Sequence, residues 1–203
     1  MNRCCGKAGL FGAALVLVLA FFRTGPAEGG APGTLVEGQP HPGPRGYHVM
    51  CARAPALCRH DRQAGRGIVT GPPRQMDAAD WARLWALNAR LNARIRPMAD
   101  SNEDHWAPAT DTGDCEDYAI SKYFTLISMG VDEERLRITY VKSLKRDEAH
   151  MVLAYYPSAG AEPLILDNLT ESIRPAGERE DLVPVYSFNG ADLWLAVNRI
   201  EGK

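Results

Sequence analysis

The stretch from Arg135 to Leu169 most constrains what this chain can fold into. It contains three short runs, "RLRITYVKSL", "AHMVLAYYP" and "EPLILDNL". Each alternates or runs apolar and is rich in β-branched and aromatic residues, the pattern of a strand. The linkers "KRDEA" and "SAGAE" are too short for crossover connections, so the three strands form an antiparallel meander. Further along, "VPVYSFNGADLWLAV" can add one or two more strands.

Two helices precede this meander. In "QMDAADWARLWALNARLNARIRPM", Asp77 or Asp80 can cap the start. Trp81, Leu84, Trp85, Leu87, Leu91 and Ile95 supply an apolar stripe, and Pro97 closes the helix. A polar loop, "ADSNEDHWAPATDTG", follows; it is either a surface connection or the wall of a site. The second helix starts near Asp114, where Asp114 and Asp117 resemble a capping pattern. Tyr118, Ala119, Tyr123, Leu126 and Ile127 recur at helical spacing, and Gly130 is a natural stop. Helices followed by a meander predict an α+β fold, with the helices packed on an antiparallel β-sheet.

The N-terminal part differs. "MNRCCGK" carries Arg3 and Lys7, and an apolar run of fifteen residues from Ala8 to Phe22 follows, then small and polar "RTGPAEGGA". Residues 1–31 therefore read as a secretory signal peptide. The run is short for a membrane span, which takes about 20 residues, and the alternative is an uncleaved anchor. Cys4 and Cys5 precede the run, so neither is placed as a lipidated cysteine at a cut site. Removing residues 1–31 takes away three basic groups and one acid, which moves the net charge from −2 to −4. No basic footprint exists for nucleic acid, and no stable membrane span is expected after processing.

Residues 32–75 are rich in Gly, Pro and Arg and read as an irregular N-terminal arm with at most short elements. The remainder, residues 76–203, is the folded domain. Export bears on the cysteines: Cys51 and Cys58, in "CARAPALC", can close a small disulfide loop outside the cytoplasm. The alternative is two thiols; a metal site usually needs tighter spacing and further ligands.

Cys115 lies outside that pair, at the predicted N-terminus of the second helix. The positive end of a helix and its N–H groups favour a thiolate and can hold an oxyanion. The neighbours Asp111, Asp114, Glu116 and Asp117 work against a thiolate, and a lone cysteine is often a small buried hydrophobe. A cysteine nucleophile needs a base and the base needs an orienter. His41, His48 and His60 lie in the arm and His105 in the polar loop; His150 alone begins a predicted strand. Asp167 sits near the end of the next strand. Adjacent antiparallel strands can bring two such positions together, in the relation a triad requires. Asp167 can equally be a turn former in "DN".

"GDCEDYAISKYFTLISMGV", "LRITYVKSLKRDEAHMVLAYYP" and "PLILDNL" together resemble the bacterial transglutaminase-like cysteine proteinases, whose best-known members are the LapG-type periplasmic proteases. The likeness runs from about Trp81 to Leu195. It implies a papain-like, transglutaminase-type core in which the family's cysteine, histidine and aspartate fall on Cys115, His150 and Asp167. It implies calcium (Ca2+) dependence, with ligands by position at Asp114 and Glu116 and a weaker candidate at Asp117. Carboxylate oxygens suit that hard ion, and a dication reverses the local field that the acids create. The alternative is that Asp114 and Asp117 only cap the helix. Trp106 is a candidate wall of the cleft and Asn168 a candidate shaper of it; ordinary packing and a turn are the plainer readings. The resemblance further implies a periplasmic endopeptidase that cuts a large surface adhesin near its N-terminus at a small-residue, Ala-Ala-like site. Such cutting releases the adhesin and disperses a biofilm, and an inner-membrane cyclic di-GMP receptor sequesters the protease. The rival readings are a transglutaminase or amidase using the same triad, and a non-catalytic binding module on the same core.

Overall fold

The structure is a computed structural model, and it describes residues 37–40, 44–53, 55–58, 76–100, 105–158, 160–190 and 193–196. The expected signal segment, much of the arm and the last residues lie outside them. Among the described residues no helix is long and apolar enough to cross a membrane.

The elements in chain order are β1 (Glu37–Pro40), α1 (Arg45–Arg53), α2 (Ala78–Arg94), β2 (Arg96–Pro97), β3 (Thr112–Gly113), α3 (Cys115–Ser128), β4 (Leu136–Ser143), β5 (Glu148–Tyr155), β6 (Leu164–Leu166), β7 (Arg174–Pro175), β8 (Leu182–Phe188) and β9 (Leu193–Ala196). A short 3₁₀ turn, Pro55–Cys58, follows α1, and another, Ala176–Glu178, precedes β8. The seven-stranded sheet has the order β1-β9-β8-β4-β5-β6-β7, with every pairing antiparallel. The meander β4-β5-β6 forms as its short linkers demand. β4 and β5 pair from Leu136 with Tyr155 to Ser143 with Glu148.

The helices cover one face of this sheet. Tyr47 and Met50 of α1, Leu84, Leu87 and Leu91 of α2, and Tyr118, Ile120 and Tyr123 of α3 share one core with Ile138, Met151, Leu153 and Phe188 of the sheet. A smaller cluster of Val141, Val152, Ala154, Ile165, Ala176 and Leu182 forms a second core. The α+β architecture therefore follows from strands that are apolar on both sides of the sheet, flanked by amphipathic helices.

The arm takes part in this core. Within residues 32–75, β1 pairs with β9, and α1 lays Tyr47 edge-on against Phe188 at 5.1 Å between ring centres. Cys51 and Cys58 are joined by a disulfide, with 5.3 Å between their Cα atoms. Gly and Pro mask the periodicity of such short elements; contact with distant residues decides them.

α2 starts with a capping box: Asp77 Oδ1 accepts from the Asp80 N–H at 2.8 Å, and Asp80 Oδ2 accepts from the Asp77 N–H at 3.3 Å. Its buried face is Leu84, Leu87 and Leu91, followed by Ile95. Trp81 and Trp85 are not part of it: they are 40% and 52% exposed. The strip 81-85-88-92 runs beside the buried one at helical spacing. On it, Asn88 and Asn92 bond the loop after β6, while the tryptophans a turn or two earlier overhang solvent.

Pro97 does not itself end α2. The helix stops at Arg94, and Arg96–Pro97 runs parallel to Thr112–Gly113. The Arg96 N–H donates to Asp111 O and the Met98 N–H to Gly113 O, both at 2.9 Å. The Tyr118 hydroxyl donates to Ile95 O. These bonds tie the first turn of α3 to the end of α2.

Candidate active site

Cys115 is the first residue of α3 and is only 2% exposed. α3 lies against β5, the strand that carries His150. Cys115 Sγ lies 3.1 Å from Glu116 Oε2. Asp114 occupies the N-cap position with extended backbone, and its side chain makes no cap hydrogen bond. The Asp117 carboxylate accepts from the Asp114 N–H, the reverse half of a capping pair. Its Oδ1 accepts from the Ala107 N–H at 3.1 Å and so fixes the polar loop beside the helix. Gly113 permits this packing, because a Cβ there would lie 2.6 Å from Asp117 Cβ.

Three carboxylates thus lie within four residues of chain, all buried: Asp114, Glu116 and Asp117. Burial pushes Asp117 up to about 7; the charges of Asp114 and Asp100 add to this, and the Ala107 N–H opposes it. Asp114 Oδ1 is buried and accepts no hydrogen bond from a described residue. Among the described residues these acids do not converge as a group of three metal-ligating side chains. Their chemistry nevertheless suits a hard cation, which would satisfy the Asp114 oxygen and relieve the mutual repulsion.

His150 and Asp167 meet. His150 is the third residue of β5, and Asp167 follows the last residue of β6; Leu153 of β5 pairs with Leu166. Nε2 of His150 lies 2.8 Å from Asp167 Oδ1, with both side chains essentially inaccessible to solvent. The carboxylate only accepts, so Nε2 carries the proton, and Nδ1 is the ring nitrogen left for other chemistry. Asp167 is densely bonded. Oδ1 also accepts from the Leu169 N–H at 2.9 Å, and Oδ2 accepts from an Arg179 Nη at 2.8 Å. Burial alone would raise its pKa, but the His150 interaction, the Leu169 N–H and Arg179 together hold it below the usual carboxylate range. Lys122, two helical turns beyond Cys115, is 1% exposed; burial lowers it to about 7, and the Asp167 charge partly opposes that.

The remaining sequence candidates are Trp106 and Asn168. Trp106 is 7% exposed and stacks on Phe188 at 5.7 Å, its indole against Gly46, where a Cβ would lie 2.4 Å from the ring. Asn168 is half-buried in the bend after Asp167, and its Oδ1 accepts no hydrogen bond from a described residue. Three residues that sequence reasoning passed over also touch the site. Asn92 Nδ2 donates to the carbonyls of Asp167 at 2.9 Å and Thr170 at 3.1 Å; Asn88 bonds the carbonyls of Thr170 and Glu171. Arg179 grips the Asp167 carboxylate. The asparagines had a signal, a polar pair four residues apart in "LNARLNAR" beside an apolar stripe. Arg179 had none.

The model of the family described as bacterial transglutaminase-like cysteine proteinase matches residues 37–199. The chain belongs to that family. This proteinase is similar to the calcium-bound form of Legionella pneumophila LapG, at 45% identity and a TM-score of 0.54, over 57% of this chain and 68% of that one. Against the EGTA-treated form of the same protein the values are 45% and 0.53, over 58% and 67%. A third LapG structure gives 43% and 0.51, over 57% and 68%. Comparison with curated protein sequences gives no match. The chain is therefore a cysteine protease with a LapG-like, transglutaminase-type α+β fold.

Proposed function

We propose that this proteinase is an exported, calcium-dependent thiol endopeptidase with Cys115 as nucleophile, His150 as base and Asp167 as orienter. The observation that carries the reading is the buried His150–Asp167 pair at 2.8 Å, on the strand that packs against the helix headed by Cys115. Cys115 Sγ attacks the scissile carbonyl while His150 Nδ1 takes the thiol proton. The C–N bond then breaks, and His150 returns that proton to the departing amine. Water attacks the thioester, His150 again accepting and then giving back a proton, and the acyl group leaves as an acid. The Cys115 N–H, at the start of α3, donates to the oxyanion.

Asp114 and Glu116, with Asp117, would hold calcium, and the bound ion supplies positive field beside a sulfur otherwise surrounded by acids. Support comes from the donor chemistry and from the calcium-bound state of the similar Legionella LapG. By the same likeness the enzyme works in the periplasm. There it cuts a large surface adhesin near its N-terminus at an Ala-Ala-like site, and a membrane receptor for cyclic di-GMP restrains it. Trp106 and Asn168 shape the surroundings of the cleft.

The test is to incubate the mature protein with exported surface proteins of the same cell, with Ca²⁺ and with chelator, beside Cys115→Ala. New N-termini only with wild type and Ca²⁺ are expected. Cleavage by Cys115→Ala refutes the nucleophile, and indifference to chelation refutes the metal. Crosslinked or amine-labelled products in place of fragments establish acyl transfer instead.

A further inference from the structure

The guanidinium of Arg179 is the least expected group near the triad. It follows the 3₁₀ turn Ala176–Glu178, twelve residues beyond Asp167. Its side chain is 11% exposed. One Nη donates to Asp167 Oδ2 at 2.8 Å and to Asp181 Oδ2 at 3.1 Å, while Nε donates to Asp181 Oδ1 at 2.9 Å. The fork on Asp181 fixes the plane of the guanidinium, since two parallel bonds to one carboxylate define a direction. Asp181 is itself anchored: its carbonyl accepts from the Leu144 N–H at 2.8 Å, and Lys145 Nζ lies 4.0 Å from its carboxylate. A chain of fixed contacts therefore runs from the end of β4 through Asp181 and Arg179 to Asp167.

We propose that Arg179 is a positioning residue of the protease: it orients the Asp167 carboxylate so that Oδ1 faces His150 Nε2, and it keeps that buried carboxylate ionised. The inference rests on the triad reading above. The division of labour on Asp167 supports it. Oδ1 takes His150 and the Leu169 N–H, and Oδ2 takes Arg179. Without the guanidinium, Oδ2 is a buried charged oxygen with one donor fewer, and the carboxylate is free to rotate away from the imidazole or to take up a proton. Other titratable or charged groups bearing on Asp167 are His150 from β5, Lys122 from α3, and Asp181 with Lys145 behind Arg179. Lys122 carries no hydrogen bond to Asp167, so it supplies charge without direction. The bidentate fork is the property that lysine lacks.

The test compares wild type, Arg179→Lys, Arg179→Gln and Asp181→Asn by steady-state cleavage of one peptide and by acid unfolding followed by circular dichroism. Arg179→Gln should lose about tenfold or more in kcat with KM within about threefold, because only the orientation of the base changes. Its acid unfolding midpoint should move to higher pH, since the Asp167 carboxylate loses a donor that held its proton off. Arg179→Lys should keep the acid midpoint near wild type and recover part of kcat. Asp181→Asn, which loosens the fork without touching Asp167, should fall between wild type and Arg179→Gln in kcat and serves if Arg179→Gln does not fold. A kcat unchanged in both Arg179→Gln and Asp181→Asn overturns the proposal. So does a loss of kcat with an unmoved acid midpoint in Arg179→Gln. If wild type itself neither cleaves peptide nor is alkylated at Cys115, the triad reading has failed instead; the acid midpoints, which need no turnover, still report the link between Arg179 and Asp167.

Discussion

Asp167→Asn is the substitution whose consequences the structure defines most fully. The two carboxylate oxygens face three donors: His150 Nε2 and the Leu169 N–H at Oδ1, and Arg179 at Oδ2. An amide offers one acceptor and one donor, so it cannot serve both sides. With its oxygen toward His150, its NH₂ points at the guanidinium. Turned over, the NH₂ points at Nε2 and the Leu169 N–H, and His150 must carry its proton on Nδ1, the nitrogen that has to accept one. Either pose leaves a buried donor unsatisfied, at about 1–3 kcal/mol, and removes one of the two carboxylates paired with Arg179, which keeps Asp181. A net loss of about 2 kcal/mol in unfolding free energy at pH 7 is expected, measured by urea titration. In the catalytic step the wrong tautomer should lower kcat on the order of 10³–10⁴-fold with KM little changed. The pH dependence carries the sign of a depressed acid. The folded pKa of Asp167 lies below the ordinary carboxylate value of 3.8. Its contribution is therefore complete above about pH 5 and is lost as pH falls below about 4 toward the folded value. Asp167→Asn should lack that part of the acid slope. A variant as stable as wild type at pH 7, or one with an identical acid slope, refutes the account of Asp167 as a buried, ionised hub.

Asn92→Ala leaves the Asp167 carbonyl without its 2.9 Å donor and the Thr170 carbonyl without its 3.1 Å one; stability should fall by about 1–2 kcal/mol, and kcat more than KM, as read by urea titration and steady-state kinetics. Leu153→Ala, at a position with no exposed surface, should cost about 2–5 kcal/mol while sparing KM, since it empties core and not cleft. Reduction of the Cys51–Cys58 bond should lower the thermal midpoint without abolishing cleavage, because the small loop it closes anchors α1 and not the nucleophile; non-reducing peptide mass spectrometry should find the link.

How far the sequence reaches is clearest residue by residue. The meander was legible because β4, β5 and β6 each carry their own strand pattern and their linkers admit only one kind of connection. His150 and Asp167 were legible together for the same reason: once neighbouring strands are antiparallel, the start of one lies near the end of the next. Trp81 and Trp85 misled, because a helical stripe shows which residues share a side and not where the neighbouring sheet ends. The contact between Cys115 Sγ and the Glu116 carboxylate was hidden too. The two residues are neighbours in sequence, but whether a carboxylate folds back onto a sulfur depends on how the first turn packs against the polar loop. Arg179 lay furthest from view. Its role depends on a carboxylate twelve positions away, and nothing periodic marks a single arginine in a turn.

β1 and β9 together bound the sheet on one side. A strand at such a boundary offers a row of backbone donors and acceptors to any chain that can line up with it, which is how folded domains come to aggregate. β1 occupies that row on β9, between Glu37 with Ala196 and Pro40 with Trp194. A shortened form of the protein cut just before α2 would look reasonable from the sequence, yet it would bare β9 and strip Tyr47 from Phe188. Recombinant forms that retain Glu37 and the residues after it should stay dispersed at concentrations where the shorter one precipitates.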